Sequence, residues 1–411
     1  MKSLFSHIMQ DFEGYAIGKM LQFLTDPGII SFAGGLPSSD IFPVELIQKA
    51  AEKSIKDNYE SVLQYSPIPG EKELMDAIID YLKKDDISIE PKNIMITTSG
   101  QHGLDLVGRL FLDPQDHIVI DLPTFGGALA AFELEDAKYL ALEIQEDGSD
   151  VEGMDKGIQN LISQGKQPKF IYVVPDFQNP SGITMSLKKR HLLLELGKKY
   201  KIPIVEDSPY RELRYKGEHL PSIYSLDKNQ GNVIGLYTFS KILCPGLRVG
   251  FNIGPPEVIK KFAFIKGANI LNTPKLNQDI CCAFLREYDL DAHFQKAKEY
   301  YSEKLNFFLN AMEENFSKDT GVEWTKPEGG LFLWITVPEE LNSSDLFYLA
   351  IEEKVAFVPG EVFYPKGLRK HNAMRINFSF PTRDEIVEGV HRLSRTIQRY
   401  KAGERPKGDL D

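Results

Sequence analysis

At 411 residues, with 42% hydrophobic and 26% charged side chains, the chain can form one large α/β domain and a smaller companion, and its composition excludes disordered and membrane-spanning classes. Its 59 acidic against 48 basic residues give a formal net charge of -11, and without a clustered basic face no nucleic-acid partner is expected. Three cysteines, two of them the neighbours Cys281 and Cys282, and an N-terminal stretch Met1 to Tyr15 with no long apolar core predict a cytoplasmic protein without disulfides or a membrane segment.

In chain order, a helix is expected where Leu74, Ile78, Tyr81 and Leu82 recur on one face. From Ile94 the rhythm is strand, helix, strand: Ile94 to Thr97, Leu104 to Leu112, then His117 to Asp121, as in a parallel sheet covered on both faces. Lys169 to Val174 is a β-branched and aromatic strand, Leu187 to Tyr200 a helix, and Ile202 to Val205 a returning strand. Asn232 to Phe239 and Val249 to Ile253 add two more. After Gly254 the character changes to long amphipathic helices between Pro255 and Asn315, then short strands at Leu331 to Trp334 and Met374 to Phe378, which predicts a second domain. Thr382 with Glu385 has the capping-box form and opens a closing helix with Ile386, Val390, Leu393 and Ile397 on one face. The polar tail from Lys401 to Asp411 is expected to fray. The early residues are expected beside the second domain or against a partner subunit.

The strongest chemical signal is Thr238-Phe239-Ser240-Lys241, followed by Pro245-Gly246-Leu247-Arg248, after a buried strand. Desolvation disfavours the ammonium form of such a lysine and frees its amine to attack an aldehyde and form a Schiff base. A lone lysine more often snorkels to the surface. Here Thr238, Ser240 and Arg248 supply the point hydrogen bonds and planar fork that a phosphate needs. Thr97 to Asp105 runs from a strand into a helix, where free N–H groups and the helix dipole form a second phosphate-binding element. Val205 to Tyr210 places Asp207 at a strand end, Phe177 to Gly182 is a turn around Asn179-Pro180, and Met374 to Ser379 carries Arg375 on a strand. No H-E-x-x-H metal pattern and no G-x-x-x-x-G-K-[ST] phosphate loop is present.

The segment around Lys241 resembles the cofactor-lysine motif of the class I/II aminotransferases, pyridoxal-phosphate (PLP) enzymes of fold type I, and similar motifs follow in order over about residues 25 to 400. The resemblance implies an α/β fold: a large domain with a mostly parallel seven-stranded sheet between helices, plus a smaller α+β domain. The expected division is an N-terminal arm and substrate loop over 1–45, a large PLP-binding domain over 46–290 and a small domain over 291–411. It implies that Lys241 carries PLP and shuttles the substrate proton, that Asp207 keeps the ring nitrogen protonated, and that Tyr210 and Asn179 meet the ring oxygen, Asn179 reaching the substrate carboxylate as well. Thr238, Ser240, Arg248 and the Ser99-Gly100-Gln101 turn are the implied phosphate ligands. The family usually has Gly-Ser-Gln there, so Ser and Gly are exchanged; main-chain donors survive, while the side-chain contact stays open. Phe125 is the implied stacking ring, a phenylalanine where the family has tyrosine. Arg375 is implied to grip the substrate α-carboxylate, Gly35 to belong to a glycine loop over the substrate, and Tyr65 to reach the phosphate of a neighbouring subunit or else to be structural. The Asn179-Pro180 bond is expected to be cis.

The expected activity is transfer of an amino group from an aromatic, 2-aminoadipate or branched-chain amino acid to a 2-oxo acid such as 2-oxoglutarate, in a homodimer with shared sites. A PLP-dependent lyase or decarboxylase on the same fold is the alternative. A regulator with an aminotransferase-like module behind a DNA-binding domain is disfavoured, since no basic recognition helix is visible ahead of Ser31-Phe32-Ala33-Gly34-Gly35.

Overall fold

A computed structural model describes residues 4–12, 14 and 28–406. Part of the expected arm (1–3, 13 and 15–27) and the end of the polar tail (407–411) lie outside the described residues.

Seven strands form the central sheet: β1 (Ile94–Thr97), β2 (His117–Leu122), β3 (Lys138–Glu143), β4 (Ile171–Val173), β5 (Ile204–Asp207), β6 (Val233–Thr238) and β7 (Gly250–Ile253). Their order is β1-β7-β6-β5-β4-β2-β3, and only β7 runs against its neighbours. All residues of β1, β4, β5 and β7 are buried, as expected when helices cover both faces of a sheet. The mostly parallel seven-stranded sheet is therefore as expected. β3 went unread: it is the edge strand, partly buried or exposed, and its short apolar run Tyr139 to Leu142 fits a strand or a helix segment equally. The helices Gly126–Glu133 and Val151–Ser163 were also unread.

Helix starts follow the local chemistry. Ser99 accepts from the His102 N–H at 3.3 Å and starts Gly100–Phe111, while Thr382 and Glu385 form the expected capping box. Ile386, Val390, Leu393 and Ile397 are all buried, as their spacing predicted. The region from Pro255 to Asn315 is three helices, Pro256–Asn269, Lys275–Glu287 and Leu290–Asn315.

A second, antiparallel sheet is ordered Val358–Pro359, Ala373–Asn377, Phe332–Thr336, Glu323–Trp324. The N-terminal segment joins this part of the molecule: Ile30–Ser31 pairs in parallel with Val355–Ala356, and the Asn377 N–H donates to the Phe32 carbonyl at 2.8 Å. These bonds carry the chain from Phe32 to Leu36 across the C-terminal ends of the parallel strands, the edge where open α/β sheets place their ligands. Among the described residues, no helix is long and apolar enough to cross a membrane and no His, Cys, Asp and Glu cluster is placed to hold a metal ion.

Candidate active site

The loops after β1, β2, β4, β5 and β6 converge on a cavity of about 310 Å³. All the cofactor and substrate residues anticipated from sequence line it except Tyr65, which is 77% exposed and does not reach the cavity of its own chain. A larger groove of about 1130 Å³, between the helices Val44–Val62 and Lys275–Glu287, contains none of them.

One end is built to receive an anion. The first turn of helix Gly100–Phe111 leaves the Gly100 and Gln101 N–H groups without helical acceptors, directed at the cavity by a Ser99 backbone held at φ 139°. Thr238 donates its hydroxyl to Ser240 Oγ at 3.0 Å and accepts from the Ser240 N–H at 3.2 Å, so one tight turn carries both side chains. Arg248 reaches the same end from a left-handed backbone (φ 51°) just before β7, with its side chain open to solvent. Gly250 permits this close approach, because a Cβ there would lie 2.6 Å from the Tyr237 carbonyl and 3.0 Å from the Ser99 carbonyl carbon. The Gln101 side chain turns instead to the Gly127 carbonyl, at 2.7 Å.

The opposite end carries a carboxylate. β5 ends in two consecutive buried acids that point to opposite faces of the sheet. Glu206 accepts the Ile223 and Tyr224 N–H groups at 3.0 and 2.8 Å and so caps a short helix. Asp207 caps nothing: it faces the cavity, accepts from the Tyr172 hydroxyl at 2.9 Å, and is pushed up to about 7 by burial, against which Tyr172 works. Beside it, Asn179 approaches the Tyr210 hydroxyl at 3.5 Å, and the Asn179-Pro180 bond is cis as expected. Leu122-Pro123, unanticipated, is cis as well.

Lys241 lies between the two ends. Its Nζ donates to the Gly35 carbonyl at 2.6 Å, open to the cavity yet enclosed by protein on its other sides. Burial, then the nearby Arg375 and Arg248 charges, lowers its ammonium to about 8. Desolvation alone does not single it out. Lys266 is fully buried, donates to the Ile96 carbonyl at 2.8 Å and is lowered by burial to about 7, but it does not line the cavity.

Arg375 enters from the second sheet. Its guanidinium donates to Asn179 Oδ1 at 3.1 Å and to the Ala33 carbonyl at 2.7 Å, and lies over the Phe332 ring at 4.4 Å. The Asn179 side-chain oxygen thus orients the arginine, while its amide N–H group faces the Tyr210 hydroxyl.

Sequence reasoning missed the supports. Asp176 forms a buried ion pair with Arg190 at 2.6 Å and with Arg211 at 3.4 Å, and Arg211 continues to Asp85 at 3.2 Å. Asp176 opens the loop bearing Asn179 and Arg211 adjoins Tyr210, so this cluster ties both loops together. The only signal was proximity in sequence to the motifs. Tyr172 was hidden in a run that resembled strand packing.

A cofactor with a phosphate at one end, an aldehyde that condenses with amines, and a basic aromatic nitrogen at the other end fits this donor set. Main-chain N–H groups, hydroxyls and a guanidinium lie at one end, an amine lies in the middle, and a buried carboxylate that accepts from the Tyr172 hydroxyl lies at the other end. Phe125 and Val174 supply apolar surface beside it. The aminotransferase class I and II family model matches residues 30–393. The aromatic-amino-acid aminotransferase 1 of Thermococcus litoralis is 39% identical over 93% of this chain and 91% of its own, and the 2-aminoadipate transaminase of Thermus thermophilus 36% identical over 93% of each. The crystal structure of Pyrococcus horikoshii kynurenine aminotransferase in complex with PMP has a TM-score of 0.91 at 38% identity, covering 97% of this chain and 98% of that one. The chain thus belongs to the class I and II aminotransferases, PLP enzymes that pass an amino group between amino acids and 2-oxo acids.

Proposed function

We propose that this aminotransferase takes amino acids with large apolar side chains, aromatic ones foremost, with 2-aminoadipate and branched-chain donors also accepted and a 2-oxo acid such as 2-oxoglutarate as partner. The observation that carries the reading is the composition of the cavity. Among the described residues its cations are Lys241, Arg248 and Arg375, and Leu36 and Phe332 are part of its apolar lining. Arg248 belongs to the phosphate end and Lys241 to the reacting centre, which assigns Arg375 to the α-carboxylate; the second carboxylate of 2-aminoadipate or 2-oxoglutarate meets no further lining cation, so apolar donors rank first. The named relatives act on aromatic, 2-aminoadipate and kynurenine substrates, which supports the same range.

When bound, PLP supplies the aldehyde and the electron-withdrawing ring. This chain's residues do the remainder. Arg375 fixes the α-carboxylate by its planar fork, and Asn179 fixes the arginine. Lys241 Nζ, its ammonium destabilised by burial, takes the proton from the substrate Cα at physiological pH. With PLP bound, Asp207 would hold the ring nitrogen's proton, Tyr210 and Asn179 would meet the ring oxygen, and Phe125 would lie against the ring. Ser99, Gly100, Gln101, Thr238, Ser240 and Arg248 would hold the phosphate, and Gly35 would border the substrate.

A homodimer in the cytoplasm is part of the proposal. Leu63 and Tyr65 are 71% and 77% exposed, and they adjoin a segment in which Ser66 bonds to Thr273 and Asn272, next in sequence to the exposed Leu271. This apolar patch suits a partner subunit, and Tyr65 would then serve the neighbouring site. The helices and sheet from Leu290 onward support a small domain over 291–411, beside a large domain over 46–290 and an arm over 1–45.

A donor panel at fixed 2-oxoglutarate tests the reading. Phenylalanine or tyrosine should exceed alanine and aspartate in kcat/KM by about tenfold or more, since one large buried apolar side chain contributes about 1.5–3 kcal/mol. Aspartate as best donor would overturn it.

A further inference from the structure

Asp207 lines the cavity with a single hydroxyl donor, an arrangement shared only in part by the buried Asp121, which accepts from the Ser149 hydroxyl at 2.9 Å but does not line the cavity. Asp176 is balanced by two guanidinium groups and Glu206 by two main-chain N–H groups. Among the described residues, the donor to the Asp207 carboxylate is the Tyr172 hydroxyl, on Oδ2. Tyr172 is 1% exposed and does not line the cavity. It projects from β4 on the same sheet face as Asp207, since Tyr172 pairs with Val205, two residues earlier on β5. The Phe132 ring, edge-on at 5.6 Å, fixes its plane. Among the described residues no cation pairs with the carboxylate, so one phenol opposes the tendency of burial to neutralise it.

We propose that Tyr172 is a positioning residue for the cofactor, acting through Asp207: its hydroxyl occupies Oδ2, so that the other oxygen faces the cavity as an anion able to hold a protonated ring nitrogen. The inference rests on the reading that Asp207 meets that nitrogen. With phenylalanine at position 172 the proton shared between ring and carboxylate moves towards the carboxylate, and the ring loses electron-withdrawing power without losing any direct contact. The chemical class served is a basic aromatic heterocycle, which needs a full negative charge; a neutral ring would need only a hydrogen-bond donor.

The test uses full-length protein loaded with PLP carrying ¹⁵N in the ring. Tyr172→Phe should move the ring-nitrogen signal towards the unprotonated position and weaken PLP retention by about tenfold or more, as expected for a lost hydrogen bond to a charged group. Asp207→Asn should move the signal further, and Tyr172→Phe should add little in that background. Incorporating 3-fluorotyrosine at position 172 keeps the ring in place and strengthens the donor, so the signal should shift the other way; this arm holds if the phenylalanine variant folds poorly. A signal unmoved by Tyr172→Phe or 3-fluorotyrosine but moved by Asp207→Asn overturns the role of Tyr172 and leaves Asp207 in place. A signal unmoved by either substitution overturns both.

Discussion

Cofactor loading reports the state of the Lys241 amine directly. In the apoprotein, only the neutral amine can attack the aldehyde of PLP, so the loading rate follows its deprotonated fraction. Burial, assisted by Arg375 and Arg248, lowers Lys241 from the ordinary 10.5 to about 8. At pH 7 about a tenth of the amine is then neutral, against about three parts in ten thousand for an ordinary lysine, a ratio of roughly 300. Stopped-flow absorbance after mixing apoprotein with PLP from pH 6 to pH 10.5 should show a tenfold rise per pH unit that levels near pH 8. Arg375→Met removes a repelling charge, so the levelling point should move upward. A rate that climbs undiminished beyond pH 10 would refute the argument, because Lys241 would then behave as a solvated amine.

Three further substitutions probe the supports. Asp176→Asn strips the carboxylate from the buried Arg190 and one of two from Arg211, which keeps Asp85, and should cost about 3–5 kcal/mol in urea unfolding; a loss under about 1 kcal/mol would mean that the cluster is not a stabilising tie. Arg375→Lys keeps the charge and loses the planar fork, so kcat/KM should fall by about 10- to 100-fold while PLP affinity holds, and a PLP affinity falling in parallel would contradict the assignment to substrate. In Gly250→Ala the new methyl meets main-chain atoms of Tyr237 and Ser99, so stability should fall by about 1–3 kcal/mol together with phosphate affinity, measured by thermal unfolding with and without inorganic phosphate; an unchanged melting profile would show that the turn is less tightly packed than the distances indicate.

The residues that handle ligands were legible because each does its work within a short stretch of chain. A lysine between hydroxyls and an arginine, an Asn-Pro turn and a strand running into a glycine-rich helix start carry their chemistry in local order, and thirteen residues so identified line one cavity. The supports were illegible because they act between segments distant in sequence. Tyr172 and Asp207 meet through the register of adjacent strands, and Arg211 joins Asp85 and Asp176 across the interior. The edge strand Lys138–Glu143, half-covered, offers Tyr139 to Leu142 as a short apolar run that periodicity alone does not separate from a helix segment. The pairing of Ile30–Ser31 with Val355–Ala356 spans nearly the whole chain and left no local trace.

The central claim is that the cavity, rather than burial alone, selects the cofactor lysine, and the fully buried Lys266 is its natural rival. Borohydride reduction of the PLP-loaded protein, proteolysis and mass spectrometry decide between them. The pyridoxyl adduct is predicted on the peptide containing Lys241, in about one equivalent per chain; an adduct on Lys266, or one spread over surface lysines, would contradict the account.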